Sequence, residues 1–431
     1  MFSVSTRLAR PKVAIVGAGL GGLMLGQLLE QINVPYHIYE RAKVVKPLGT
    51  AMALGPSVLP IFEQLSLLDD VKSFSLPCYS VNMYDENIEK LGSVDMTDHD
   101  TLLGSHSLIF SRPRLYDLML SRVPAHKVSH GIKVLRTEEK DGKVHIYCSD
   151  NTTHEADILV GADGAYSTVR QTLYQQLDEQ GLLPKSDLER LSIASLNMVG
   201  TAVPEDPDKY PQLKDKFCNF AVAIGGSGGR SARERQFSNA EWGPESIDAM
   251  YKEFENDRCP FGGTMGDIMK YTPKDMISKV FLEEKNFTTW YGGRTVLLGD
   301  GAVNAMHDAV VLANCIYNMT DTTSEGITAA FKEYYDQRHP RLDAQIKRSQ
   351  SLSALMGGET WYQRLSRHVA LNYMPKFILE SDFIRSMEYR PQIAWLPLVP
   401  NRGRGHVLPQ EGKRELLQDR IKRLQEEEQQ Q

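Results

Sequence analysis

The chain has 431 residues, 41% of them hydrophobic, so it can bury a large core and is long enough for two joined domains. Forty-nine Lys and Arg against 55 Asp and Glu give a net charge of −6, which implies neither nucleic acid nor an anionic membrane as a partner. Five scattered cysteines without a C-x-x-C spacing suit a reducing compartment and argue against a disulfide framework or a zinc site.

Lys12 to Val16 reads as a short buried strand, Leu20 to Gln31 as the helix after it, and Tyr36 to Tyr39 as a second strand. Only about ten residues precede the first strand, too few for an ordinary signal peptide, and no apolar run is long enough to span a bilayer. A cytoplasmic protein is the expectation. Gly17, Gly19 and Gly22 between the first strand and helix form G-x-G-x-x-G, and Glu40 ends the second strand. In that order the glycines permit a tight turn, approach of a pyrophosphate and close helix–strand packing. The helix N-terminus then faces the phosphates, and the acid accepts ribose hydroxyls. A dinucleotide site is predicted here.

Leu54 to Leu68 has helical spacing at Leu59, Phe62 and Leu65, and a helix after Ser111-Arg112-Pro113 runs to Arg122. From Gly131 to Val160 three alternating runs, the last being Asp157 to Val160, are separated by Asp141-Gly142 and Asp150-Asn151, which predicts an antiparallel meander. Strand-like runs at Ser195–Val203 and Phe217–Ile224 and a helix at Pro244–Asn256 mark a middle section suited to a substrate-facing sheet. A buried strand at Thr295–Leu298 leads to a helix at Val303–Tyr317. A long helix then runs from Ser324 toward Met356, interrupted near His339-Pro340. The tail after Gly412 is a charged helix, too short to form a coiled coil by itself.

Two further motifs follow the fingerprint: Asp157-Ile-Leu-Val-Gly-Ala-Asp163-Gly164, running into a helix with Ser167 and Arg170, and Thr295-Val-Leu-Leu-Gly-Asp300. Together the three resemble the signatures of the FAD-dependent aromatic hydroxylase superfamily, the para-hydroxybenzoate hydroxylase fold. The nearest likeness is to fungal monooxygenases of the meroterpenoid and indole-diterpene epoxidase type. The resemblance runs from about Lys12 to about Gly357. It implies an α/β fold in which a Rossmann-like FAD-binding domain (10–75, 105–180 and 280–357) interweaves with an antiparallel substrate sheet (76–104 and 181–279). A C-terminal extension with a charged helical tail (358–431) follows.

The same resemblance implies the site. Glu40 would bind the adenosine ribose, Arg112 would reach the FAD, and Asp163 would serve both flavin and nicotinamide cofactor. Asp300 would hold the ribityl chain, with Gly301 opening the next helix, and Gly49 lies on a loop lining the flavin. Each also has a plainer reading: Arg112 as a surface ion pair, Asp163 as a helix cap, Asp300 and Gly49 as turn residues. His307, Tyr166, Tyr334 and Tyr335 read as packing or solvated groups, and the glycine-rich run Gly225–Arg230 as loop. The implied chemistry uses NAD(P)H and O2 to hydroxylate or epoxidise a small or medium apolar substrate through a flavin hydroperoxide, with no nucleophile or metal required. The motifs leave the oligomeric state open.

The chain departs from the family pattern in two places. The family carries a proline and a Gly-Gln-Gly between Gly-Asp and the following helix. Here Asp300 runs directly into Gly301-Ala-Val-Asn-Ala-Met-His-Asp308, shorter by roughly ten residues. The polar run Gly225–Arg235 replaces what looks like an apolar strand. Two other readings therefore stay open: an impaired paralogue or incomplete gene product that keeps the fold, and another flavoenzyme such as an isoprenoid reductase or halogenase. A W-x-W-x-I stretch typical of flavin halogenases is lacking.

Overall fold

The computed structural model describes residues 10–44, 51–85, 87–189, 192–199, 202–224, 244–273, 277–285, 287–299, 301–357 and 360–429. Gly49, Asp300 and the polar run Gly225–Arg235 lie outside them.

The strand Val13–Val16 is apolar throughout, and its two faces feed two different cores. Val13 and Ile15 join the helices Leu20–Gln31 and Ala302–Asn318 in the larger cluster, while Ala14 and Val16 meet Val144, Ile146 and Val169 in the smaller. A strand buried on both sides belongs in the middle of a parallel sheet. Accordingly Val13–Val16 pairs in parallel with Tyr36–Glu40 on one side and Ile158–Gly161 on the other. The sheet extends to six strands, ordered Tyr291–Gly292, Thr295–Leu297, Ile158–Gly161, Val13–Val16, Tyr36–Glu40 and Val128–His130. Three antiparallel strands, Val134–Lys140, Lys143–Cys148 and Thr153–Ala156, cover one face.

A second sheet carries Cys218–Ile224, Leu76–Asp85, Leu108–Ser111 and Ala51–Leu54, with Lys90–Asp95 paired to Leu76–Asp85. Ser192–Val199 and Ser278–Glu284 form a separate antiparallel pair. The architecture is α/β, a mainly parallel sheet with one antiparallel edge strand, accompanied by antiparallel sheets and C-terminal helices.

Three sequence expectations change. Residues 54–68 are not one helix. A strand, Ala51–Leu54, precedes two short helices, Leu59–Gln64 and Leu68–Ser73, and Ser66 turns left-handed between them at φ 56°. The third meander strand is Thr153–Ala156. The more apolar Ile158–Gly161 joins the central sheet instead, because it can be buried on both faces. Pro340 does not interrupt Ser324–Gly357, which runs through it as one helix.

The C-terminal residues are part of the core. The Gln64 amide donates to the Ile393 and Pro397 carbonyls and accepts from Ile393 N. Trp395 is buried against Tyr317 and donates to Gln31 Oε1 at 3.1 Å.

Candidate functional site

The parallel strands end together at the glycine loop. Gly17 N donates to Tyr39 O, Ala162 N to Val16 O and Leu298 N to Gly161 O, so four strand ends are tied into one rim. Gly17 sits at φ +107°, and a Cβ there would lie 2.4 Å from the Ala162 carbonyl oxygen. At Gly22 a Cβ would lie 2.1 Å from Gly17 O. Neither place admits a side chain. Gly19 differs: its backbone is extended (φ −72°), and a Cβ would come no closer than 4.0 Å to Ala162 O. Among the described residues nothing crowds position 19, so the packing leaves open space beside it.

That space lies at the start of Leu20–Gln31, whose N-cap is Gly19, with no side-chain cap and no acid in the first turn. Such an end presents backbone N–H groups and the positive pole of the helix to an anion. Glu40 stands beside it, accepting from Ala18 N at 2.9 Å with Oε2 and from Ala42 N at 2.8 Å with Oε1. Each carboxylate oxygen keeps a lone pair for a hydroxyl. A pyrophosphate with its adjoining ribose fits this cradle.

Asp163 takes the capping role that its plainer reading gave. It accepts from Ser167 Oγ at 2.5 Å and Thr168 N at 2.7 Å, while Ser167 Oγ in turn accepts Arg170 N. The helix it caps starts at Thr168, later than a start near Ala165. Arg112 is exposed at the first position of the helix Arg112–Ser121, directly after the strand Leu108–Ser111 that pairs with Ala51–Leu54. Tyr166 is exposed, whereas His307 and Tyr334 are buried.

The short connection at 300 is closed by a buried ion pair. Gly301 caps Ala302–Asn318 at φ +87°, so the helix begins two residues past Asp300. Eight residues on, Asp308 is fully buried, accepting Gly299 N at 2.7 Å with Oδ2 and Arg338 Nε at 2.5 Å with Oδ1. Burial disfavours the Arg338 charge, but the adjacent carboxylate outweighs it and its pKa is raised. Tyr334 OH donates to Leu297 O at 3.0 Å, one turn before Arg338 on the same helix. Arg338 was visible in sequence only as part of a long helix; its partner 30 residues earlier carries no local signal. Gly21 was also missed: its Cα faces Ala305, whose Cβ would be 2.7 Å from any Cβ at 21, so the two helices cross there in close contact.

His307 lies next to this pair, its Nε2 donating to the Ser57 carbonyl at 3.1 Å, with the edge of Tyr389 against its ring. Burial, with Arg338 nearby, lowers its pKa from 6.5 to about 3, so it is neutral and the carbonyl fixes the proton on Nε2.

The fold and the cradle define a dinucleotide-binding flavoprotein. The family model for the FAD binding domain matches residues 10–246, more than half of the chain, and the chain belongs to that family. Its class is the FAD-dependent monooxygenases. It is similar to FAD-dependent monooxygenase esdpE of Penicillium shearii, 24% identical over 83% of this chain and 80% of the relative. It is also similar to FAD-dependent monooxygenase atmM of Aspergillus flavus, 23% identical over 92% and 89%. The 6-hydroxynicotinate 3-monooxygenase of Bordetella bronchiseptica is 26% identical over 77% of this chain and 88% of its own. In fold, the chain superposes on Klebsiella pneumoniae HpxO complexed with FAD and uric acid at a TM-score of 0.69, with 20% identity over 87% of this chain and 96% of that one.

Stability and FAD-affinity measurements on four sets of variants check this geometry. Gly19→Ala should change the urea midpoint little, within about 0.5 kcal/mol, yet lower FAD affinity at least about tenfold. Gly17→Ala and Gly22→Ala should instead cost more than about 2 kcal/mol of stability. Arg338→Met, which strands the buried Asp308 carboxylate, should cost about 3–5 kcal/mol by the same measurement. For His307 the native state refuses a proton that the unfolded chain takes up below pH 6.5, so stability falls as pH drops from 6.5 toward about 3. The slope from this one group approaches about 1.4 kcal/mol per pH unit. His307→Asn should flatten that limb in urea midpoints read against pH.

Proposed function

We propose that the protein transfers one oxygen atom from O2 to a small or medium apolar organic molecule, by hydroxylation or epoxidation, with NAD(P)H as reductant. The balance is one O to the substrate and one to water, with a hydride (two electrons and one proton) supplied by the nicotinamide and a second proton by solvent. The bound FAD supplies the redox and oxygen-transferring chemistry. The observation that carries the reading is the cradle at Gly19, open among the described residues and flanked by an uncapped helix end and Glu40.

In this proposal Gly17 and Gly22 shape the loop, Gly19 borders the pyrophosphate, and Glu40 holds the adenosine ribose. Arg112 and the loop carrying Gly49 approach the flavin ring, Asp300 takes the ribityl chain, and Gly301 brings the next helix end close by. Asp163 keeps its helix in register at the rim of the site and borders both the flavin and a transiently bound nicotinamide. The residues 10–75, 105–180 and 280–357 hold the cofactor, and the sheet from 76–104 and 181–279 faces the substrate. Their joint task is to place the substrate against the flavin and keep water out.

A second reading is favoured by one observation: the helix Ala302–Asn318 begins two residues past Asp300, with only Gly301 between. A connection this short leaves one edge of the flavin less covered than the family loop would, and an impaired paralogue follows if FAD is lost. The visible spectrum of the purified protein separates the two. Flavin bands near one FAD per chain, with FAD-dependent NADPH oxidation and O2 uptake, support the monooxygenase. A colourless protein that takes up no added FAD overturns it. Inserting a family-length loop after Asp300 should raise FAD affinity; unchanged affinity would remove the short connection as a cause.

A further inference from the structure

Among the described residues four arginines are buried: Arg294, Arg338, Arg390 and Arg420. Arg338 holds Asp308, Arg294 faces Glu139 at 4.0 Å, and Arg420 lies over the Tyr317 ring and donates to its carbonyl. Arg390 has neither acid nor ring. It is 6% exposed and donates from Nε to the Met387 carbonyl at 2.7 Å, its one side-chain hydrogen bond among the described residues. Burial lowers its pKa, and no carboxylate raises it. A buried charge left in that state is uncompensated. With Nε engaged, Nη1 and Nη2 remain as a free two-pronged donor.

That donor opens on a cleft. Arg390 lines a space of about 780 Å³ between the helices Leu59–Gln64 and Leu68–Ser73, the turn after the helix His99–Leu103, and residues 399–402. Its neighbours Tyr389 and Pro391 line a different hollow, beside Gln410, whose Nε2 takes the Arg390 carbonyl at 2.8 Å. The part of Arg390 that reaches the cleft is therefore its side chain, and the Nη groups are not sealed away from it. The walls are braced. Gln392 bonds both the N–H and the carbonyl of Val399, and Arg402 grips Glu63 with both Nη groups. The volume is that of a small-molecule site.

The lining says which molecule. Leu59, Leu68, Leu103, Leu108 and Val399 make much of it apolar. Its charges cancel, Lys72, Arg390 and Arg402 against Glu63, Asp69 and Asp100. A multiply charged anion such as phosphate would meet as many acids as bases there. One free guanidinium fork suits the two oxygens of one carboxylate, and the apolar walls suit a hydrocarbon body. Two more polar atoms of the lining residues, Ser75 Oγ and His106 Nδ1, are buried without a hydrogen-bond partner among the described residues.

We propose that this cleft binds a small monocarboxylic acid with an apolar body, its carboxylate bridging Nη1 and Nη2 of Arg390 and its hydrocarbon lying along Leu59, Leu103 and Val399. The cleft shares no residue with the cradle of Gly17, Gly19, Gly22 and Glu40, and the inference does not rest on the flavin reading.

The test is calorimetric titration of the purified full chain with octanoate, phenylacetate, 1-octanol and inorganic phosphate. The expected result is saturable binding of at least one carboxylate at one per chain, with octanol at least about tenfold weaker than octanoate and no binding of phosphate. R390M, which keeps the length and removes the charge, should abolish carboxylate binding. R390K, which keeps the charge and removes the fork, should weaken it about tenfold. Melting temperatures matching the parent's will show that the variants fold, and the comparison of octanoate with octanol needs no variant. The proposal is overturned if neither carboxylate binds at up to about 5 mM. It is equally overturned if octanol binds as well as octanoate, if phosphate binds more tightly than both acids, or if folded R390M binds octanoate as the parent does.

Discussion

The Asp308 carboxylate joins the end of a sheet strand, the helix that follows it and a long helix 30 residues further along the chain. One oxygen takes the N–H of Gly299 at the end of a sheet strand, and the other takes Arg338 from the middle of the long helix Ser324–Gly357. Because both charged groups are buried, separating them would leave an uncompensated charge, which ties Arg338 Nε to Asp308 Oδ1. The constraint fixes where the strand stops, where Ala302–Asn318 starts and how the long helix lies across both. A connection too short to fold into a loop of its own is thus held by a side chain two turns into the helix that follows it.

The cradle depends on that placement. Ala302–Asn318 crosses Leu20–Gln31 at the Gly21–Ala305 contact, and Leu20–Gln31 in turn presents its open N-terminus beside Glu40. The glycines divide by purpose. Gly17 and Gly22 are small because backbone oxygens crowd them; Gly19 is small although the polypeptide leaves it room. The space beside Gly19 is where the proposed reading puts the dinucleotide of this FAD-binding family. The polar hydrogen-bonding of Asp163 shows the complementary case, where a family signature residue also has a purely structural duty at a helix start.

Much of this was legible in the sequence. The first strand–glycine–helix–strand unit was read to within a residue or two, because its signals are local: an apolar run, glycines at fixed spacing, 3.6-residue periodicity. Reading failed where a local pattern had two physical solutions. Leu59, Phe62 and Leu65 suit one helix or two short ones, and the left-handed Ser66 decided for two. Ile158–Gly161 could have closed a meander, but an all-apolar strand gains more between two covered faces. Pro340 remains inside its helix as packing from the Trp290, Tyr334 and Tyr335 aromatics accompanies that segment.

By itself the sequence determined the cofactor fingerprint, the fold class and the family, since each rests on residue types at short, fixed spacings. Only the tertiary structure decided the rest. It paired Asp308 with Arg338, placed Ala305 on Gly21, carried Trp395 back to Gln31, and turned Trp361, Leu365 and Val369 outward rather than into a core. An amphipathic helix has the same periodicity whether its apolar face is covered or open, and a buried charge carries no mark of its partner in the residues beside it. Those choices are made by contacts between segments far apart in the chain, and they exist only once it has folded.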